Sequence, residues 1–175
     1  MDELIAEVIA YDTEHVVLTG GEPMLLVESI EFTSRLKSAG HVITIETAGT
    51  VDRAVECDLM SISPKLANST PPVESGWAIR HDAQRNRPEV IARLTRDYPY
   101  QLKFVIDEPS DVKEVLSYLS EHRGIEADRV YLMPQARTRE ELSGHLDWLT
   151  PLAEQHGLRV SNRLHIELFG QMRGT

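Results

Sequence analysis

The sequence predicts an α/β fold: about six parallel strands with helices outside, in one domain over residues 1–175, arranged as a partial (β/α) barrel or an open doubly wound sheet. Three observations point there. Short β-rich runs alternate with longer helical runs, as in repeated strand–helix units. The strand runs are nearly continuous in apolar residues, as expected for strands buried on both faces. Six or so units are too few for a closed eight-unit barrel.

Each element has a local reason. Residues 2–11 read as a helix with no strand before it, which suggests an upstream strand that is missing or dispensable. Val16, Val17 and Leu18 form the first strand, stopped by Gly20 and Gly21, and Pro23 suits a first helical turn. Leu25, Leu26, Ile30 and Leu36 then give a helix over residues 24–38 that ends before Gly40. Residues 42–45 and 59–62 are the second and third strands. A helix over 88–97 leads to a fourth strand at 101–106, and Ser110 can cap a helix reaching about His122. The fifth strand is 130–133. Thr138 and Glu141 have the form of a capping box, opening a helix that Gly157 ends. A sixth strand follows at 158–160. Residues 64–87, with Pro64, Pro71, Pro72 and Gly76 and only Trp77 and Ile79 as large apolar anchors, read as a long loop or lid.

Composition bounds the partners. Net charge is −10, so a phosphate backbone is repelled over most of the surface and nucleic-acid binding is not expected. No apolar run reaches the roughly 18 residues of a membrane span, and acidic residues 1–7 do not resemble a secretory signal. A cytosolic location is the expectation. The single cysteine, Cys57, excludes an internal disulfide framework and an all-cysteine metal site within these 175 residues. A buried structural role suits it.

The polar motifs fall in one kind of place. Strand runs lead into Thr19-Gly20-Gly21-Glu22-Pro23, Glu46-Thr47-Ala48-Gly49-Thr50, Ser63-Pro64-Lys65, Asp107-Glu108 and Pro134-Gln135-Ala136-Arg137. In parallel α/β folds the C-terminal strand ends share the face that holds the active site, so these turns are expected to converge on one cleft. Gly20 and Gly21 remove side chains, which lets a ligand reach the backbone. Neither GxGxxG nor GxxxxGK[ST] is present, so this is not a dinucleotide or phosphate loop. The Glu22 carboxylate suits a ligand ammonium, or else complements a helix dipole.

These residues carry a resemblance. Thr19-Gly20-Gly21-Glu22-Pro23 resembles the GGEP motif of radical S-adenosylmethionine enzymes. The later turns, with Leu102-Lys103-Phe104-Val105, Met133-Pro134-Gln135, Arg163-Leu164-His165 and Arg173-Gly174-Thr175, resemble the 7-carboxy-7-deazaguanine synthase family in order and approximate spacing. The resemblance implies an incomplete (β/α) barrel. It implies a carbon–nitrogen lyase that converts 6-carboxy-5,6,7,8-tetrahydropterin to 7-carboxy-7-deazaguanine, a step in queuosine and other deazapurine biosynthesis. The implied cofactors are S-adenosylmethionine, a [4Fe–4S] cluster and Mg²⁺, with an electron donor and a homodimer as partners. Carried over residue by residue, Gly20, Gly21, Glu22, Ser63, Pro64 and Lys65 would bind S-adenosylmethionine, and Met133, Pro134, Gln135 and Ala136 would form a further cofactor-binding turn. Thr19 and the terminal carboxylate of Thr175 would reach the pterin. Glu46 and His165 are additional cleft candidates from the residues themselves, and no catalytic residue is assigned.

The chain departs from the family in one respect. The CxxxCxxC motif that holds the cluster, and the threonine after it that ligates Mg²⁺, do not occur in these 175 residues, and Cys57 matches no ligand. No metal ligand is therefore expected here, and the chain is read as N-terminally incomplete and inactive alone. Three readings follow: part of an enzyme; a non-catalytic S-adenosylmethionine- or pterin-binding module or one subunit of a split enzyme; and a plain α/β domain.

Overall fold

The computed structural model describes residues 1–170, so Thr175 lies outside the described residues. Among these, six strands form one sheet in chain order: β1 (His15–Leu18), β2 (Val42–Thr47), β3 (Leu59–Ile62), β4 (Tyr100–Ile106), β5 (Val130–Pro134) and β6 (Arg159–Val160). β1–β2, β2–β3, β4–β5 and β5–β6 pair in parallel. β1 and β6 are the terminal strands, so the sheet does not close. Seven α-helices accompany it: α1 (Asp2–Ala10), α2 (Ser29–Ser38), α3 (Ala78–Gln84), α4 (Pro88–Asp97), α5 (Pro109–Glu121), α6 (Arg139–Gln155) and α7 (Leu164–Phe169). The α/β class, the strand count and the helical layer match the expectation.

The chain falls into two compact units. The first comprises Met1–Ser63 and Asn86–Gln101. Its core joins Leu36 of α2, Ile43 and Ile45 of β2, Met60 and Ile62 of β3, and Ile91 and Leu94 of α4, all essentially without solvent contact. The second comprises Pro64–Arg85 and the chain from Leu102 onward. Leu102, Phe104 and Ile106 of β4, Val115 of α5, Leu132 of β5 and Leu149 of α6 fill its core. Burying each such side chain stabilises the fold by about 1.5–3 kcal/mol relative to exposure. Further hydrogen bonds continue the order beside β3: the Met60 amide donates to Pro99 O at 2.8 Å, and the Gln101 side chain donates through Nε2 to Ser61 Oγ at 3.0 Å.

Three expectations need correction, and one element was not anticipated. The strands are not buried on both faces: β2, β4 and β5 alternate strictly between buried and half-buried residues. Helices cover one side, and the other side carries polar residues such as Thr44, Glu46, Lys103 and Tyr131, which demand less burial. The helix expected over 24–38 is interrupted. Pro23–Leu25 is a single 3₁₀ turn, Leu26 is extended, and α2 starts only at Ser29. The chain first turns Pro23 and Met24 inward, and Ser29 Oγ donates to Pro23 O at 2.6 Å to fix that break. The segment 64–87 is not only loop, because it contains α3 and 3₁₀ turns at Ala67–Ser69 and Val73–Ser75. Finally, residues 164–169 form α7, which sequence periodicity over six residues was too short to reveal.

Candidate functional site

In the first unit the turn after β1 is locked by one carboxylate. Glu22 accepts from Thr47 Oγ1 at 2.9 Å on both oxygens, from Ala48 N at 2.9 Å and from Met24 N at 3.2 Å. Thr47 is buried and serves two further bonds: its hydroxyl accepts from Gly49 N at 3.0 Å and its carbonyl from Ser63 N at 2.7 Å. Arg53 Nε donates to Met24 O at 3.1 Å. Glu22 therefore ties the turns after β1, β2 and β3 into one hydrogen-bonded cluster, with Ser63 linked through Thr47.

That cluster holds a bare stretch of backbone. Gly20 has φ of +143°, a conformation side chains rarely adopt, and a Cβ built on Gly20 or Gly21 would meet nothing within 4 Å. Both glycines are exposed. Their amide and carbonyl groups can be approached directly by a ligand. Beside them Thr19 Oγ1 donates to Glu46 Oε2 at 3.2 Å. Gly49 is the opposite case, with φ of +72° and a position where a Cβ would run into Ile91 Cδ1 and lie 2.8 Å from Ile62 Cγ2.

In the second unit the turn from Pro64 to Ser69 lines a cavity of about 280 Å³ with Val105, Asp107 and Gln135. α5 fixes this turn. Glu114 accepts from Ala67 N at 3.0 and 3.1 Å, and Arg85 Nη1 donates to Lys65 O at 2.9 Å and to Glu114 Oε1 at 3.1 Å. Asn68 Nδ2 donates to Asp111 Oδ2 at 2.8 Å and to Val105 O at 3.1 Å. The same buried Asp111 carboxylate oxygen accepts from Asp107 N and Glu108 N, closing the N-terminus of α5.

The turn after β5 joins the same cavity. Gln135 N donates to Ile106 O at 2.7 Å. Pro134 is buried and Met133 half-buried. Ala136 packs with Leu142 of α6 and Ile166 of α7. This contact seats Arg163, whose Nη1 donates to Gln135 Oε1 at 3.1 Å and to Ala136 O at 3.3 Å. His165 follows it, exposed, on α7.

The expected site residues thus fall into two groups. Thr19, Gly20, Gly21, Glu22, Glu46 and Ser63 belong to the first unit, and Pro64, Lys65, Met133, Pro134, Gln135, Ala136 and His165 to the second. Sequence reasoning gave no role to Thr47, Asp111 or Arg163. A hydroxyl just before Ala48-Gly49 was the only signal for Thr47. Asp111 had a local signal, as the third helical residue of a capping box opened by Glu108, whereas the Arg163 partners Gln135 and Ala136 lie 28 and 27 residues away and left no local trace.

The described residues do not fit an iron–sulfur cluster. No three of their His, Cys, Asp and Glu side chains are grouped as a metal site requires. Cys57 is partly buried, and burial, reinforced by the Asp58 charge, pushes its thiol up to about 11. A thiol kept protonated is a poor ligand. No helix among the described residues is long and apolar enough to cross a membrane.

Comparison with known proteins gives the lineage. The chain is 42% identical over its whole length to 7-carboxy-7-deazaguanine synthase from Halobacterium salinarum, of which it spans 73%. The chain belongs to the 7-carboxy-7-deazaguanine synthase family. A second member, from Rhodopirellula baltica, is 38% identical across the whole chain, which spans 69% of it. A third member of the synthase family, from Pyrobaculum aerophilum, is 32% identical. The crystal structure of QueE from Escherichia coli superposes with a TM-score of 0.63 at 22% identity, covering 93% of this chain and 62% of that one, which shows the shared fold. No protein-family model matches the chain.

Proposed function

We propose that these residues form the ligand-holding part of a 7-carboxy-7-deazaguanine synthase, a radical S-adenosylmethionine lyase acting on 6-carboxy-5,6,7,8-tetrahydropterin in queuosine or related deazapurine biosynthesis. The observation that carries this reading is the exposed Gly20–Gly21 backbone, braced by the Glu22–Thr47 cluster and left free of side chains. Main-chain groups presented this way bind a polar ligand without reorganising. By the family resemblance, Gly20, Gly21, Ser63, Pro64, Lys65 and the 133–136 turn are the candidates for binding S-adenosylmethionine, and Thr19 is the candidate for the pterin. Glu22 acts mainly as the brace, since three donors already occupy its carboxylate.

The cluster thiolates and the Mg²⁺ ligand come from a polypeptide segment other than these 175 residues, so turnover needs that segment in cis or in trans. The same reading makes the protein cytoplasmic, homodimeric and dependent on an electron donor. The terminal position of β1, with Val17 at 56% exposure, supports self-association through an open edge.

Calorimetric titration with S-adenosylmethionine tests the reading, and saturable one-site binding is expected. After anaerobic reconstitution the chain alone is expected to hold almost no iron and to leave the carboxytetrahydropterin unchanged. Absence of S-adenosylmethionine binding defeats the proposal, whereas about four irons per chain defeats the assignment of the thiolates elsewhere. Binding of S-adenosylmethionine without turnover, even when a CxxxCxxC-bearing segment is supplied, would mark a binding module instead.

A further inference from the structure

Next to the β5 turn the second unit holds another cavity, of about 310 Å³, lined by Gln135, Arg137, Arg163 and His165 among others. Among the described residues no carboxylate lines it. Arg163 is partly withdrawn from water, yet its two hydrogen bonds go to neutral oxygens, those of Gln135 and Ala136. Its Nε is buried with no partner among the described residues. Burial pulls its pKa below the ordinary arginine value, as expected of a guanidinium without a counter-charge. Acidic side chains of the adjoining α6 and α7 are engaged elsewhere: Glu141 accepts from Arg137 N and Thr138 N, and Glu167 accepts from Asn162 Nδ2. A half-buried cation in this condition is costly unless an anion completes it.

Gln135 lines both this cavity and the 280 Å³ cavity beside Lys65 and Asn68. A ligand filling the latter can extend an acidic tail past Gln135 toward Arg163. We propose that Arg163, flanked by Arg137 and His165, is a carboxylate-binding subsite that receives the acid group of the small molecule held by the second unit. Arg163 supplies a charge-assisted hydrogen bond from the part of its guanidinium that lines the cavity, and Arg137 adds a second, solvent-facing cation. The inference rests on the ligand-holding function proposed above. Both ligands of that reading carry a carboxylate, and comparing each with its acid-free counterpart tells which one occupies the subsite.

The full chain is titrated with S-adenosylmethionine and its decarboxylated analogue, and with 6-carboxypterin and pterin. The wild type and the Arg163→Gln and Arg137→Gln variants are compared. For one of the two pairs the wild type is expected to favour the carboxylated member by roughly tenfold or more. That preference should shrink to about twofold or less in R163Q and fall partway in R137Q, while the acid-free member binds all three proteins alike. R137Q alters an exposed side chain, so it keeps the test alive if R163Q does not fold. Equal loss of both members in R163Q would make Arg163 a brace for the turn and overturn the subsite. A preference that survives both variants, or its absence in a wild type that binds the ligands, overturns it as well. Failure of the wild type to bind any of the four defeats the parent reading, and the subsite with it.

Discussion

At the end of β1 the Glu22 carboxylate receives hydrogen bonds from Thr47, Ala48 and Met24, all within its own unit. At the end of β5 the Arg163 guanidinium reaches two neutral oxygens, and its buried Nε reaches none among the described residues. Both are charged side chains on turns that follow parallel strands, though the sequence pointed only to Glu22 as a ligand contact. The difference teaches how to tell scaffold from site. A charge whose partners are all internal holds the backbone in place, whereas a charge left incomplete is held in readiness for something else.

The comparison breaks or sharpens under three kinds of perturbation. The largest effect is expected at a second scaffold position of the first unit. Gly49→Ala forces a left-handed φ on a side chain and drives a methyl into Ile91 and Ile62, so stability should fall by about 2–4 kcal/mol in urea denaturation. The matching change Gly21→Ala meets open space. It should leave stability within about 0.5 kcal/mol and weaken S-adenosylmethionine binding roughly tenfold. Equal destabilisation by the two would erase the distinction between packed and ligand-facing glycines.

A smaller effect compares the charges directly. Glu22→Gln points an amide donor at a cluster of donors and is expected to cost about 1–3 kcal/mol. Arg163→Gln removes an uncompensated charge and should change stability by less than about 1 kcal/mol, or raise it slightly. Chemical denaturation of both variants checks this. A large loss in R163Q would place Arg163 with the scaffold.

The smallest effect concerns pH. The Lys37 ammonium and the Ile43 amide hold the Asp58 carboxyl below the usual carboxylate range. A depressed folded-state value stabilises the protein above the ordinary aspartate range and loses that contribution as pH falls through the folded value. The pair is partly solvent-exposed and screened, so Asp58→Asn should remove no more than about 1 kcal/mol of stability at neutral pH. The difference between wild type and variant should vanish in acid, and stability curves from pH 7 down to about 2 would show it.

Much of the first unit was legible in sequence. Val16 to Leu18, the paired glycines and Pro23 announce a strand, an open turn and a restart, because each acts through its own backbone. The capping box of Thr138 and Glu141 forms as read, with Glu141 N donating to Thr138 Oγ1 at 3.1 Å. Two features were misread because tertiary contacts overrode local pattern. Met24 is drawn into the core, which breaks the helix expected from residue 24. The apolar runs imply strands buried on both faces, yet in β4 only alternate residues are fully buried.

What the sequence by itself determined was the succession of strands and helices, the placement of glycine and polar turns after strands, and the family these imply. Those follow from hydrophobic periodicity and backbone freedom, which are properties of short segments. Only the tertiary structure decided which charges are satisfied. Glu22 finds Thr47 from 25 residues away and Arg163 finds Gln135 from 28, and no local rule anticipates such meetings. Desolvation and hydrogen-bond completion depend on what else is packed nearby, so they exist only once the chain has folded.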